Sequence, residues 1–364
     1  MNIEQREVAA IDETDTDDTE KRPAVKRVHL EERQQQSKAV QKTKKTNWID
    51  FGIRAGFTVF LFIFLARSVS WSIVFVTLAH VDIAPLLVGL TVGAYGNVVS
   101  CYQWGSLLRS ERIHVDLAKL INLYLVGIAF SHFLPTGMGG DAVKAFYVGR
   151  ESGNSGGSVS SVVMSRVTGY FGMLLIAFPA LLIWQKHFSH LVLIWFLLLS
   201  LVVGTMIVVA VFSATWLSKI LKGSWAKYHV FALIIAIGKA LGIRVRQPRS
   251  LFIPTLFGIL FWMIACLNYY SYAIALGMHV PLYFYFVAIP LVSLIAFLPI
   301  SINGFGVRES AFVLVFSTIH VPVATSLLLA LLMDVQVLLF GVIGACMYLT
   351  MGTKANVTKQ QHIV

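Results

Sequence analysis

Eight apolar stretches divide the chain, near residues 50–66, 83–108, 117–134, 157–184, 190–212, 250–276, 282–300 and 322–350. Most approach the roughly 20 residues that cross a bilayer as a helix. The pattern predicts an all-α polytopic membrane protein with about six to eight transmembrane helices. Between the first two stretches, RSVSWSIVFVTLAHVD (67–82) predicts an interfacial helix with Trp71 at headgroup level. Residues 213–249 form a second amphipathic section, carrying Lys219, Lys222, Lys227, Lys239, Arg244, Arg246 and Arg249. Gly89 and Gly93 have the small-xxx-small spacing that lets helices approach closely. Pro85, Pro179 and Pro254 fall near segment ends or at kinks.

Two stretches break the apolar pattern in the same way. FLPTGMGGDAVKAF (133–146) and FLPISINGFGVRESAF (297–312) both open on Phe-Leu-Pro, loosen at glycines, take on charge and end in Ala-Phe. Pro135 and Pro299 each remove a backbone donor and disfavour helix at the residue before. Gly137, Gly139 and Gly140 in the first stretch, and Asn303, Gly304 and Gly306 in the second, release the backbone.

Charge gives these breaks a direction. The leader, the loop with Arg109, Arg112 and Lys119, and the 213–249 section are all basic and belong on the cytoplasmic side. Three full crossings between the last two would put them on opposite sides, so one segment does not cross. The 117–150 region is therefore expected to be a re-entrant hairpin entered from the cytoplasm, with Lys144 and Arg150 on its returning arm. By the same reasoning 282–319 is a hairpin entered from outside, and Lys354 and Lys359 return to the cytoplasm. The membrane domain (47–350) then consists of two oppositely oriented units, about 50–184 and 190–350. VVMSRVTGYFG (162–172) and LLMDVQVLLFG (331–341) follow the two hairpins at similar distances. An inverted repeat with broken helices at the midplane is the organisation of secondary transporters. The competing topology is eight plain spans with both motifs in loops on one side.

Composition agrees with lipid as solvent. Of 364 residues, 57% are hydrophobic and 13% charged, with a mean hydropathy of +0.75; soluble domains carry about 25% charge. Residues 1–46 are acidic up to Glu20 and basic from Lys21, predicting a disordered cytoplasmic tail, with Lys38, Lys42, Lys44 and Lys45 near anionic headgroups. Residues 351–364 form a short cytoplasmic tail. No cleavable signal peptide precedes the first apolar run. Cys101, Cys266 and Cys346 lie inside apolar runs and predict neither disulfide nor metal site.

Ionisable residues inside the apolar region are the candidate chemistry: Asp141, Lys144, Arg150, Arg166, Arg308, Glu309 and Asp334. Arg166 and Asp334 each lie about eleven residues, or ~16 Å, into a helix, near mid-bilayer. One reading pairs them with each other to hold the halves together. The other lets Lys144, Arg150, Arg166 and Arg308 present positive potential to a phosphate, with glycine turns exposing backbone N–H groups. Asp141 and Glu309 start the returning half-helices, where they either cap them or couple ions. His132 has no companion at ligand spacing, so no metal is expected. Asn97, Gln103, Asn268, Tyr269 and Tyr270 are expected to bond between helices. No nucleotide, dinucleotide, serine-hydrolase or zinc-protease signature occurs, so a transporter is favoured over an enzyme. No cofactor and no nucleic-acid partner is expected.

At LPTGMGGDAVKAFYVGR (134–150), SRVTGYFG (165–172) and NGFGVRESAF (303–312) the chain resembles the lysylphosphatidylglycerol synthase transmembrane-region family, the flippase-like part of multiple peptide resistance factors. That family is expected to carry arginine where this chain has Lys144. Only a short tail follows Thr350, so the soluble aminoacyl-transferase domain is not expected. The resemblance implies translocation of an anionic phospholipid or lipid-linked phosphate across the cytoplasmic (inner) membrane. The alternatives are a membrane-embedded transferase using a lipid-phosphate donor, and a non-transporting partner of a cell-envelope enzyme.

Overall fold

A computed structural model describes residues 76, 79–133, 139–183, 190–220, 249–297 and 304–361. The leader, the 50–66 segment, most of the 67–82 stretch, residues 221–248, and Pro135, Gly137, Pro299 and Asn303 lie outside the described residues. Among the described residues there are nine helices and no strand. They are α1 (Ile83–Ser110), α2 (Leu117–Phe133), α3 (Gly139–Ser152), α4 (Ser155–Ile183), α5 (His190–Ile220), α6 (Arg249–Ala275), α7 (Leu282–Phe297), α8 (Val307–Ser317) and α9 (Val323–Gln361).

Among the described residues, four helical stretches are long and apolar enough to cross a membrane: Ile83–Ser110, Ser155–Ile183, Ser250–Ala275 and Val323–Leu349. Large apolar side chains such as Leu201, Phe212, Phe252 and Val342 stand exposed along α5, α6 and α9. Water would penalise such faces; lipid does not. The chain is a multi-pass membrane protein.

The order long helix, two short helices, long helix occurs twice, as α1–α4 and as α6–α9. In each set the short helices fold back on each other. Lys119 of α2 pairs with Glu151 of α3 at one end, and Gly140 N–H donates to Ser131 Oγ (3.2 Å) at the other. In the second set Phe284 and Phe316 meet edge-to-face at 5.2 Å, while Gly304 approaches Ala296. Both pairs are therefore antiparallel.

Between the sets, α1 and α6 share the most extensive helix–helix contact. They run antiparallel: Asp82 N–H donates to Ala275 O (3.0 Å) at one end, and Tyr102 stacks on Phe257 at the other (5.9 Å). Gly89 lies under Tyr272, and Gly93 faces Asn268 and Gln336, so the small-residue spacing does bring these helices close. The short α2 packs on α9, and the short α7 on α4. Each hairpin thus rests on the last helix of the other set.

Polar bonds tie the same equivalent positions. Gln103 of α1 donates to Thr168 Oγ1 of α4 (3.0 Å) beside Gly258 of α6. Asn268 of α6 donates to Gln336 Oε1 of α9 (3.1 Å) beside Gly93 of α1. Gln103 and Asn268 are therefore the interhelical bonders that sequence suggested. Helix ends repeat as well. Ile113 N–H reaches Leu108 O (3.0 Å) after α1, and Met278 N–H reaches Ala273 O (2.8 Å) after α6. The residue before each is left-handed, Arg112 at φ 60° and Gly277 at φ 70°, as this helix stop requires.

The α2–α9 contact allows no added atom. A Cβ on Gly344 would stand 2.0 Å from Leu125 O and 2.3 Å from Leu125 C, both rigid backbone. Gly344→Ala is expected to lose about 1–3 kcal/mol or more by overpacking, read as a lower Tm in detergent. Gly169→Ala is the control, because among the described residues beyond its own helix backbone only Gln103 Nε2, at 3.9 Å, lies within reach.

Candidate functional site

Charged residues gather where each returning short helix begins. Asp141 is in the first turn of α3, whose start is pressed against α2 at Gly127 and Gly140. The turn directs its carboxylate towards α4, where Arg166 is the twelfth residue. Arg166 donates through Nε (2.8 Å) and a terminal nitrogen (2.7 Å), both to Asp141 Oδ2. Lys144, one turn further along α3, donates to Oδ1 (2.7 Å). Its ammonium also sits over the rings of Tyr124 (4.6 Å) and Trp104 (5.5 Å), a cation–π arrangement. Trp104 is itself held by its indole N–H donating to Ser161 Oγ (3.1 Å). The small residues Ser158 and Ser161 let α4 approach this closely, and Ser158 Oγ donates to Ala145 O (2.9 Å).

Exposure separates the two cations. The Lys144 side chain is 12% exposed and that of Arg166 56%. Lys144 is committed to Asp141 and the rings; Arg166 keeps a free face.

The second set repeats the layout with opposite signs. Gly304 (φ 77°) and Gly306 (φ 80°) take the left-handed backbone that only glycine adopts cheaply. Gly306 caps α8, and its N–H donates to Glu309 Oε2 (2.5 Å). Glu309 thereby stands at the third position of a capping box at the start of α8. Arg308, the second residue of α8, pairs with Asp334 on α9. The short-helix partner now carries the positive charge and the long helix the negative one. Sequence separations are nearly the same, 25 residues for Asp141–Arg166 and 26 for Arg308–Asp334. The pairing of Arg166 with Asp334 across the halves does not occur; each binds its own hairpin.

Formal charges therefore differ. Asp141 against Lys144 and Arg166 leaves one positive charge, while Arg308 against Glu309 and Asp334 leaves one negative charge. Arg150, nine residues beyond Asp141 and exposed near the far end of α3, is not brought to the cluster. Gly139 and Gly140 are buried at its edge. Tyr124, Trp104 and Ser161 were not legible as site residues, because aromatic and small residues in apolar helices carry no signal of their own. A cavity of about 460 Å³ opens between the α6–α7 and α8–α9 connections, lined by His279 and His320 among others. It lies at the opposite end of α8 from Arg308 and is not part of the charged site.

The sequence also matches the family model described as lysylphosphatidylglycerol synthase TM region, over residues 51–345. The chain belongs to this family. No curated protein and no solved structure shows significant similarity to it. Membership covers both sets of helices and both charged clusters. It ties this integral membrane protein to lipid handling.

Proposed function

We propose that the protein moves an anionic phospholipid or lipid-linked phosphate across the cytoplasmic membrane, as a flippase-like transporter. The observation that carries this reading is the free face of Arg166. It projects from the middle of an apolar helix with one side held by Asp141 and more than half of its side chain exposed. A guanidinium at mid-bilayer costs several kcal/mol unless it meets water or an anion, so this face opens on a wet cleft. A phosphate suits it, since the fork still has donors to give.

The α2–α3 and α7–α8 pairs are then re-entrant hairpins entered from opposite sides, with both chain termini cytoplasmic. The antiparallel α1–α6 contact and the exchanged α2–α9 and α7–α4 contacts support such an inverted repeat. Rocking one unit against the other would expose Arg166 to each leaflet in turn. A transferase acting on the same lipids would need a carboxylate free to serve as base. Asp141 is engaged by two cations, and the Glu309 carboxylate is wholly buried, where no acceptor hydroxyl of a lipid reaches it.

The test is translocation of headgroup-labelled lipid in proteoliposomes, followed by one-sided quenching. Anionic lipid should cross faster than in protein-free vesicles. Equal rates with and without protein, together with product formation by the protein in detergent, would favour the transferase.

A further inference from the structure

Three buried polar atoms without a hydrogen-bond partner fall in one place: Arg308 Nε, Glu309 Oε1 and Asp334 Oδ2. The Glu309 side chain is 0% exposed and that of Asp334 12%. Each carboxylate is fixed through one oxygen, Glu309 by Gly306 N–H and Asp334 by Arg308, and holds the other back. Arg308 Nε stands 3.9 Å from Glu309 Oε1, an ion-pair distance but too long for a hydrogen bond. Two carboxylates thus share one guanidinium. Buried polar atoms rarely lack partners, and an uncompensated buried charge is costly.

Among the described residues, the packed helices bring no spare cation to the cluster: Lys119 of α2, which packs on α9, is taken by Glu151. Tyr269 of α6 faces the cluster, within electrostatic reach of Arg308 and Glu309. The α7 helix carries no Lys, Arg, His, Asp or Glu, and Asp334 is the one such residue of α9 between Val323 and Thr350.

We propose that Glu309 and Asp334 bind one small monovalent cation from solution, H⁺ or Na⁺, which completes the charge balance of the second unit. Both unpaired oxygens are enclosed, which excludes a bulky headgroup ammonium. The two units then divide the work: the first presents a positive face to the anionic lipid, and the second takes up the accompanying cation. That coupling role rests on the translocation reading; cation binding does not.

The experiment uses the purified full-length protein in detergent, where no transport occurs. Thermal unfolding is compared in NaCl and choline chloride at equal ionic strength, and the carboxyl infrared band is followed against pH. A saturating Na⁺-specific rise in Tm identifies Na⁺; a pH-dependent carboxyl band without Na⁺ dependence identifies H⁺. Glu309→Gln and Asp334→Asn should each lose the signal, while Glu151→Gln, at the far end of the first hairpin, should keep it. Absence of both signals in the wild-type protein overturns the proposal, even if the variants fail to fold. So does a signal that persists in both variants. Cation binding without lipid translocation would remove the transporter reading and leave the site standing.

Discussion

Arg166→Ala is expected to reduce lipid translocation to the protein-free background while the protein stays folded. Asp141 keeps its 2.7 Å contact with Lys144, so the hairpin remains tied and no buried carboxylate is left alone. What disappears is the exposed fork. A hydrogen bond to a charged group contributes about 1.5–3 kcal/mol, so the loss should be about ten- to a hundredfold. Arg166→Lys should fall between, because an ammonium keeps the charge but not the planar pair of donors. Dithionite-quench rates in proteoliposomes, with size-exclusion profiles for folding, measure both.

Asp141→Asn should act on stability instead. It leaves Lys144, 12% exposed and enclosed by aromatic rings, and Arg166 without their shared counter-charge. Removing one partner of a buried ion pair costs about 3–5 kcal/mol, read as a large fall in Tm. The double variant Asp141→Asn with Lys144→Met removes one charge of each sign. It should recover more than half of the loss and retain the positive charge of Arg166. No recovery would mean that Asp141 acts on something other than Lys144. The same logic explains why the first cluster tolerates lysine at 144. Its bonds there go to a carboxylate and two ring faces, none of which needs a guanidinium fork.

Much of the layout could be read from the chain. Apolar runs marked α1, α4 and α6, and the start of α9, within a few residues, since a spanning helix must satisfy its backbone internally. The breaks at Gly139–Gly140 and Gly304–Gly306 stand where α3 and α8 begin. Gln103 and Asn268 declared themselves as polar residues that an apolar helix would not otherwise carry. The ion pairs were harder. Counting residues along a helix gives the depth of Arg166 and Asp334, and equal depth invited pairing them. Lateral neighbours depend instead on how each short helix folds back. The tight α3–α4 and α8–α9 connections return α3 beside α4 and α8 beside α9, so Asp141 and Arg308 arrive first. The α9 helix also runs on to Gln361, well past the apolar stretch that marked it.

If the protein translocates lipid by alternating access, the two hairpins open to opposite sides of one membrane, and cysteine accessibility measures this directly. With Cys346, the exposed native thiol, replaced, Met138→Cys and Phe305→Cys are labelled in sealed right-side-out and inverted vesicles with a membrane-impermeant maleimide. Labelling at 138 from the cytoplasmic side and at 305 from the outside is expected. Labelling of both positions from the same side would contradict it.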